Sequence, residues 1–216
     1  MKYNLVEIFH SIQGEGFNFG METTFVRFSD CNLNCYWCDT DWKKANLYLD
    51  NQQILEFLKA HNAKNVIVTG GEPSKDSNMD KFIALTEFLL ANNIKVHVET
   101  NGLVDLRKTN DLFKKIWIST SPKIIYRSLY EKNGLINEAD EVRIVIDPKI
   151  KFEKQIEAIL WFKERINAKY WFLSPCEVDM KFDFDMLGKI YDHLTKVLNQ
   201  KEWRISIQLH KLMNIR

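Results

Sequence analysis

An alternation of two periodicities constrains this chain more than any other feature. Seven short runs have strand length and are rich in β-branched or apolar residues: Thr23–Phe28, Val66–Thr69, Lys95–Thr100, Ile116–Thr120, Glu141–Ile146, Tyr170–Leu173 and Ile205–Leu209. Between them lie segments with helical spacing. Ile54, Leu55 and Leu58 mark Asp50–His61, and Phe82, Ile83, Leu85, Phe88 and Leu89 mark Met79–Asn92. Phe152, Ile156, Ile159, Leu160 and Phe162 mark Lys151–Ile166, and Phe184, Leu187, Ile190, Tyr191, Leu194 and Leu198 mark Asp183–Asn199. Strands alternating with helices predict an α/β fold, a parallel sheet with crossover helices, either open or curled into a barrel. Neither a Pro/Gly/Ser-rich linker nor a fixed-period repeat interrupts the 216 residues, so residues 1–216 read as a single domain.

Composition removes several classes of function. At 45% hydrophobic and 27% charged, the chain has the make-up of a folded soluble protein. It lacks the run of about 20 apolar residues that a membrane-spanning helix requires. Its start, Met1-Lys2-Tyr3-Asn4-Leu5-Val6-Glu7, lacks the apolar core of a signal peptide, so a cytoplasmic location with no membrane partner is expected. A formal charge of +1 provides no global field for a nucleic-acid backbone, and none is expected as a partner.

In parallel α/β folds, ligands gather beyond the C-terminal ends of the strands. Five polar or Gly-containing turns converge there: Cys31–Cys38, Gly70-Gly71-Glu72-Pro73, Asn101-Gly102, Ser121-Pro122-Lys123 and Ser174-Pro175. Cys31-Asn32-Leu33-Asn34-Cys35-Tyr36-Trp37-Cys38 lets one loop wrap three thiolates around a centre, a set suited to zinc, copper(I) or iron–sulfur clusters. A closed zinc site would need a fourth ligand from far away, such as Cys176 or His210. Three thiolates on a cubane [4Fe–4S] cluster would leave one iron open for chemistry. Cys176 otherwise reads as a small buried hydrophobe. Arg27, at the end of an apolar strand, suits a substrate carboxylate or a local acid such as Asp30. Gly70-Gly71-Glu72-Pro73 is either a ligand-approaching backbone or a plain strand-to-helix turn, and Thr40 either a hard oxygen ligand or a helix cap. Ile12-Gln13-Gly14-Glu15-Gly16, after the run Leu5–Phe9, is a turn able to offer backbone contacts to a heterocycle.

The CxxxCxxC spacing after the first of these strands, with Trp37 before the last Cys, resembles the radical S-adenosylmethionine superfamily. Ile12–Gly16, Phe25-Val26-Arg27, Cys38-Asp39-Thr40, Thr69–Pro73, Glu99-Thr100, Ser121-Pro122-Lys123, Trp203-Arg204 and His210-Lys211 together resemble the 7-carboxy-7-deazaguanine synthase family, in consistent order from residue 5 to the C-terminus. The resemblance implies a partial (β/α) barrel of the radical SAM type. It places a [4Fe–4S] cluster on Cys31, Cys35 and Cys38, and S-adenosylmethionine against Trp37, Cys38, Asp39, Gly71, Glu72, Ser121, Pro122 and Lys123. Magnesium falls to Thr40, and a pterin to Ile12, Gln13, Gly14, Arg27, Thr69, Glu99 and His210. The implied reaction is the ring contraction of 6-carboxy-5,6,7,8-tetrahydropterin to 7-carboxy-7-deazaguanine with loss of ammonia, a step towards queuosine and related 7-deazapurines. An electron donor such as flavodoxin or ferredoxin and a homodimeric state also follow from the resemblance.

Two positions depart from the family pattern: Ser174 stands where Gln is usual before the Pro, and Leu209 where Thr is frequent before the terminal His. The segment from Thr40 to Asn51 is short, leaving few residues to cover a cluster from that side. Two other functions compete. A different small radical enzyme, such as a glycyl-radical activase, would not turn over the pterin. A binding module with a structural zinc on the triad plus Cys176 or His210 would ignore S-adenosylmethionine.

Overall fold

The computed structural model describes residues 1–178 and 181–215. The strands are β1 (Lys2–Ile12), β2 (Glu22–Phe28), β3 (Leu47–Asp50), β4 (Asn65–Gly70), β5 (Lys95–Thr100), β6 (Trp117–Thr120), β7 (Glu138–Ile146), β8 (Asn167–Pro175), β9 (Glu177–Val178), β10 (Lys181–Phe182) and β11 (Trp203–Ile205). The helices are α1 (Asn51–Ala60), α2 (Asp76–Ala91), α3 (Leu106–Thr109), α4 (Arg127–Asn133), α5 (Phe152–Arg165), α6 (Phe184–Asp192) and α7 (Leu209–Leu212).

Nine strands form one sheet in the order β11-β8-β7-β6-β5-β4-β2-β1-β3, and β9 and β10 make a separate hairpin. From β2 to β11 every pairing is parallel, whereas β1 runs antiparallel to both β2 and β3. Because the parallel strands lie side by side in chain order, each crossover steps the same way. Right-handed crossovers then place the helices on one face. The opposite face curls inward, and β11 and β3 at the two ends stay unpaired with each other, giving a partial barrel.

Period-2 alternation separates the two faces. Val66, Val68, Val96, Val98, Ile118, Val142, Ile144, Trp171 and Leu173 point outward into a core shared with Leu58 of α1, Phe82, Leu85 and Leu89 of α2, Ile159 and Phe162 of α5, and Ile190 of α6. The residues between them are largely polar or aromatic and face inward: Arg27, Thr69, His97, Glu99, Ser119, Glu141, Arg143 and Ser174. A capping box starts α1, with the Gln53 N–H donating to Asp50 Oδ1 and the Asp50 N–H to Gln53 Oε1, both at 3.0 Å.

The sequence reading needs correction in two segments. The run Ile205–Leu209 is not a strand: β11 ends at Ile205, and Leu209–Leu212 turns into α7. After Ser206 the chain leaves the sheet to cross the barrel mouth, where the Leu209 N–H donates to Gly14 O at 3.2 Å. The helix read over Asp183–Asn199 is regular only to Asp192 and continues as a π turn over His193–Val197. The short Thr40–Asn51 segment contains β3, which covers the outer edge of β1.

Candidate active site

The loop after β2 carries the three cysteines and is fastened along its length. Asp30 opens it at φ 72°, and its carboxylate accepts from Lys75 Nζ at 2.5 Å and Ser77 Oγ at 2.8 Å. Asn32 accepts from Asn101 Nδ2 at 2.7 Å, the Asn34 N–H donates to the Tyr126 hydroxyl, and the Tyr36 hydroxyl donates to Asp147 Oδ1 at 2.5 Å. All three thiols are free; Cys31 and Cys35 are half-buried and Cys38 exposed. Burial pushes the Cys31 thiol up to about 11 and raises that of Cys35, although Lys123 pulls the latter back. The Leu33 N–H donates to Cys31 Sγ at 3.4 Å.

The Gly70-Gly71-Glu72 turn owes its glycines to the end of β2 and to this loop. A Cβ on Gly71 would stand 2.0 Å from Asp30 O, and one on Gly70, whose φ is +106°, 2.5 Å from the backbone of Phe28. Glu72, 1% exposed, accepts from the Ser74 N–H at 3.0 Å, Ser74 Oγ at 2.6 Å, Thr100 Oγ1 at 2.7 Å and the Asn101 N–H at 2.7 Å. Burial raises its pKa, and those four donors work against the rise. Its carboxylate therefore ties the β4 and β5 turns together beside the cysteines.

The opposite wall is built on the inner face of the sheet. Glu99 of β5 accepts from Gln13 Nε2 at 3.0 Å, Thr69 Oγ1 at 2.9 Å and Arg143 at 2.6 Å. Burial alone would lift its carboxyl, but the charge and hydrogen bond of Arg143, helped by Gln13 and Thr69, bring it down to about 2. Arg27 lies 3.1 Å from Glu7 on β1, not beside Asp30; it also donates to Thr40 Oγ1 at 3.3 Å and stands over the Phe9 ring. Across the mouth, α7 brings His210 against Gly14, where an added Cβ would meet the imidazole Nδ1 at 2.4 Å.

One cavity unites these walls. Cys31, Cys35, Cys38, Trp37, Asp39, Thr40, Gly71, Glu72, Ser121, Lys123, Ile12, Gln13, Arg27, Thr69, Glu99 and His210 all line it, while Gly14 and Pro122 are not part of the lining. Arg143 lines it as well, a residue that sequence reasoning missed. Glu15, Asn101, Ser174 and Lys211, all within turns or motifs read from the sequence, complete the lining: the Ser174 hydroxyl is buried with no hydrogen-bond partner among the described residues, and Lys211 joins Asp39 Oδ2 at 3.0 Å to Glu177. Glu141 and Arg143 alternate within the apolar strand run Glu141–Ile146, a pattern that places both on the inner face and could have identified them.

The donor set fits a thiolate-bound iron–sulfur cluster: three thiols free of disulfides on one loop open into a cavity with space beyond them. Thr40 offers one hydroxyl to the cavity, and it accepts from Arg27 Nη1 at 3.3 Å.

Residues 25–174 match the Radical SAM superfamily profile. The 7-carboxy-7-deazaguanine synthase of Haemophilus influenzae is 40% identical over 99% of this chain and 94% of its own length. That of Neisseria meningitidis is 38% identical, again over 99% and 94%. The crystal structure of QueE from Escherichia coli shares the fold, with a TM-score of 0.68 over 96% of this chain and 94% of that one, at 22% identity.

Proposed function

This chain belongs to the 7-carboxy-7-deazaguanine synthase family of the radical SAM superfamily, and we propose that it converts 6-carboxy-5,6,7,8-tetrahydropterin to 7-carboxy-7-deazaguanine with loss of ammonia. One observation carries this reading: the three thiols and the Gln13–Thr69–Glu99 hydrogen-bonding wall open onto the same cavity, with Arg27 and Thr40 between them. Residues 1–216 act as one core domain.

Cys31, Cys35 and Cys38 would hold the [4Fe–4S] cluster, and Trp37, Asp39, Gly71, Glu72, Ser121, Pro122 and Lys123 would surround S-adenosylmethionine. When bound, the pair would supply radical chemistry able to take a hydrogen from an unactivated carbon. The protein's own part is placement. Arg27, which donates to Thr40 Oγ1 at 3.3 Å, would offer its guanidinium to the substrate carboxylate, and Thr40 would offer its hydroxyl to a magnesium ion. Glu99 is held ionised and accepts from ring N–H groups, while Gln13, Thr69 and His210 fix the remaining edges. Such fixing keeps one C–H bond in reach of a radical that would attack many. α7 and the Gly14 turn meet across the mouth. An external donor such as flavodoxin or ferredoxin supplies the electron, and the chain works as a homodimer.

The reading is tested by anaerobic incubation of reconstituted protein with dithionite, S-adenosylmethionine, magnesium and the carboxytetrahydropterin, following products by mass spectrometry. Deazaguanine product is expected. Deoxyadenosine without it would point to another substrate, with Ser174 and Leu209 the first suspects. Stoichiometric zinc without sulfide would replace the radical reading altogether.

A further inference from the structure

We propose that Arg143 is the positioning residue of the substrate wall, its guanidinium holding Glu99 and the Gln13–Gly16 loop in one register so that fixed acceptors face the nitrogen-bearing edge of the ring. This deepens the reading above and rests on the cavity being the pterin site.

Arg143 stands on the inner face of β7 with 5% of its side chain exposed, and every nitrogen of its guanidinium is engaged. One terminal nitrogen donates to Glu15 and the other to Glu99 Oε1 at 2.6 Å. Nε and that second nitrogen also reach Ser119 Oγ, at 2.9 and 2.6 Å, and Glu141 Oε1 lies 3.3 Å from Nε. Glu141 in turn accepts from Ser119 Oγ at 2.7 Å and from the Phe17 N–H at 2.7 Å, so the same cluster grips the far end of the loop. Gly16 permits that grip, since a Cβ there would stand 2.4 Å from a Glu141 carboxylate oxygen.

With its nitrogens engaged by protein groups, Arg143 acts through Glu99 and the loop and not by touching substrate. Gln13, whose Oε1 accepts from the Glu15 N–H at 3.1 Å, donates its amide to the Glu99 oxygen that Arg143 also holds. The two parts of the wall thus share one hub. Three carboxylates surround the single guanidinium, so the wall carries an excess of acceptors, which suits a ring edge bearing N–H donors. A lysine ammonium is a point charge without the planar fork, and it cannot span Glu15 and Glu99 together.

Around Glu99 stand Arg143 and Glu141 from β7, Glu15 from the loop after β1, Thr69 from β4, Ser119 from β6 and His97 from its own strand. Without Arg143, burial and the two neighbouring carboxylates raise the Glu99 pKa, and its acceptor role fails as pH falls.

The test uses full-length, cluster-reconstituted protein without reductant. Binding of 6-carboxypterin is followed by quenching of its fluorescence between about pH 8 and about pH 5.5, and S-adenosylmethionine binding by calorimetry, for wild type, Arg143→Gln and Arg143→Lys. Arg143→Gln is expected to weaken pterin binding about tenfold or more, the scale of a lost charge-assisted contact, and to lose further affinity as pH falls. Wild type loses less affinity than the variant over the same pH range, S-adenosylmethionine affinity is unchanged, and Arg143→Lys recovers part of the loss. Wild-type pterin affinity in the variant, or an equal and pH-independent loss of both ligands, overturns the proposal. Should Arg143→Gln fail to fold, Arg143→Lys is judged by the same criteria. Wild type that binds S-adenosylmethionine but no pterin removes the substrate reading itself, and the Arg143 proposal with it.

Discussion

Glu72 accepts four hydrogen bonds in an almost fully buried position, and a carboxylate is the group that can do so on both oxygens. In Glu72→Gln the amide oxygen can satisfy the three donors at one position, but the NH2 then opposes the Asn101 N–H. The expected cost is about 1–3 kcal/mol of stability, read from urea unfolding of the variant against wild type. Unchanged stability would mean that the turn holds without this clamp. His97 carries the pH dependence at the same scale. Burial takes its pKa down to about 4, whereas an unfolded imidazole protonates near 6.5. The unfolded state therefore binds the extra proton between those values, and stability falls as pH is lowered through this window. Between pH 7 and pH 5 the loss amounts to at most on the order of 2 kcal/mol. His97→Gln should show a correspondingly shallower decline in denaturation midpoints, and parallel curves would place the titration elsewhere.

Two glycines show how differently the elements use the same residue. Gly188 lies inside α6 with nothing within 4 Å of an added Cβ. Gly188→Ala should therefore stabilise the protein by about 0.5–1 kcal/mol, seen as a raised melting temperature. Gly71→Ala should instead cost about 1–3 kcal/mol, because the clash is with the Asp30 carbonyl of the cysteine loop and neither backbone can move freely. Iron and sulfide per chain after reconstitution should drop along with it. The parallel strands were legible in sequence because β-branched runs such as Val66–Thr69 and Lys95–Thr100 pack outward on every second residue. β3 was not, since Leu47–Asp50 is only four residues long and gains its order by pairing with β1. Ile205–Leu209 misled for a related reason: its alternation is real, but β11 stops where the chain must reach Gly14. The cavity's cysteines, Arg27 and Gly71 carry motif signatures. Arg143 itself lies in none of these motifs; strand alternation puts it on the inner face, but its partners at residues 15, 99, 119 and 141 meet only once the sheet has formed.

At the scale of the whole molecule, singly wound topology sends every parallel strand to one rim, so residues from Ile12 to Lys211 line a single cavity. A ligand there binds the folded chain and not the unfolded one, which makes its affinity part of the folding free energy. S-adenosylmethionine at about 100 times its dissociation constant should stabilise the reconstituted protein by about 2.7 kcal/mol. Cys38 offers a way to separate the cluster from the fold, because its thiol is exposed and makes only a weak 3.5 Å contact to Thr40 O. Without cluster or ligand, Cys38→Ala should match wild type to within about 0.5 kcal/mol. After reconstitution its stability should no longer respond to S-adenosylmethionine, since in the proposed arrangement ligand capture would depend on an iron that the three thiolates leave open. Equal stabilisation of wild type and Cys38→Ala in thermal unfolding would show that the ligand binds through the protein wall alone, and the cysteine loop would then need a different role.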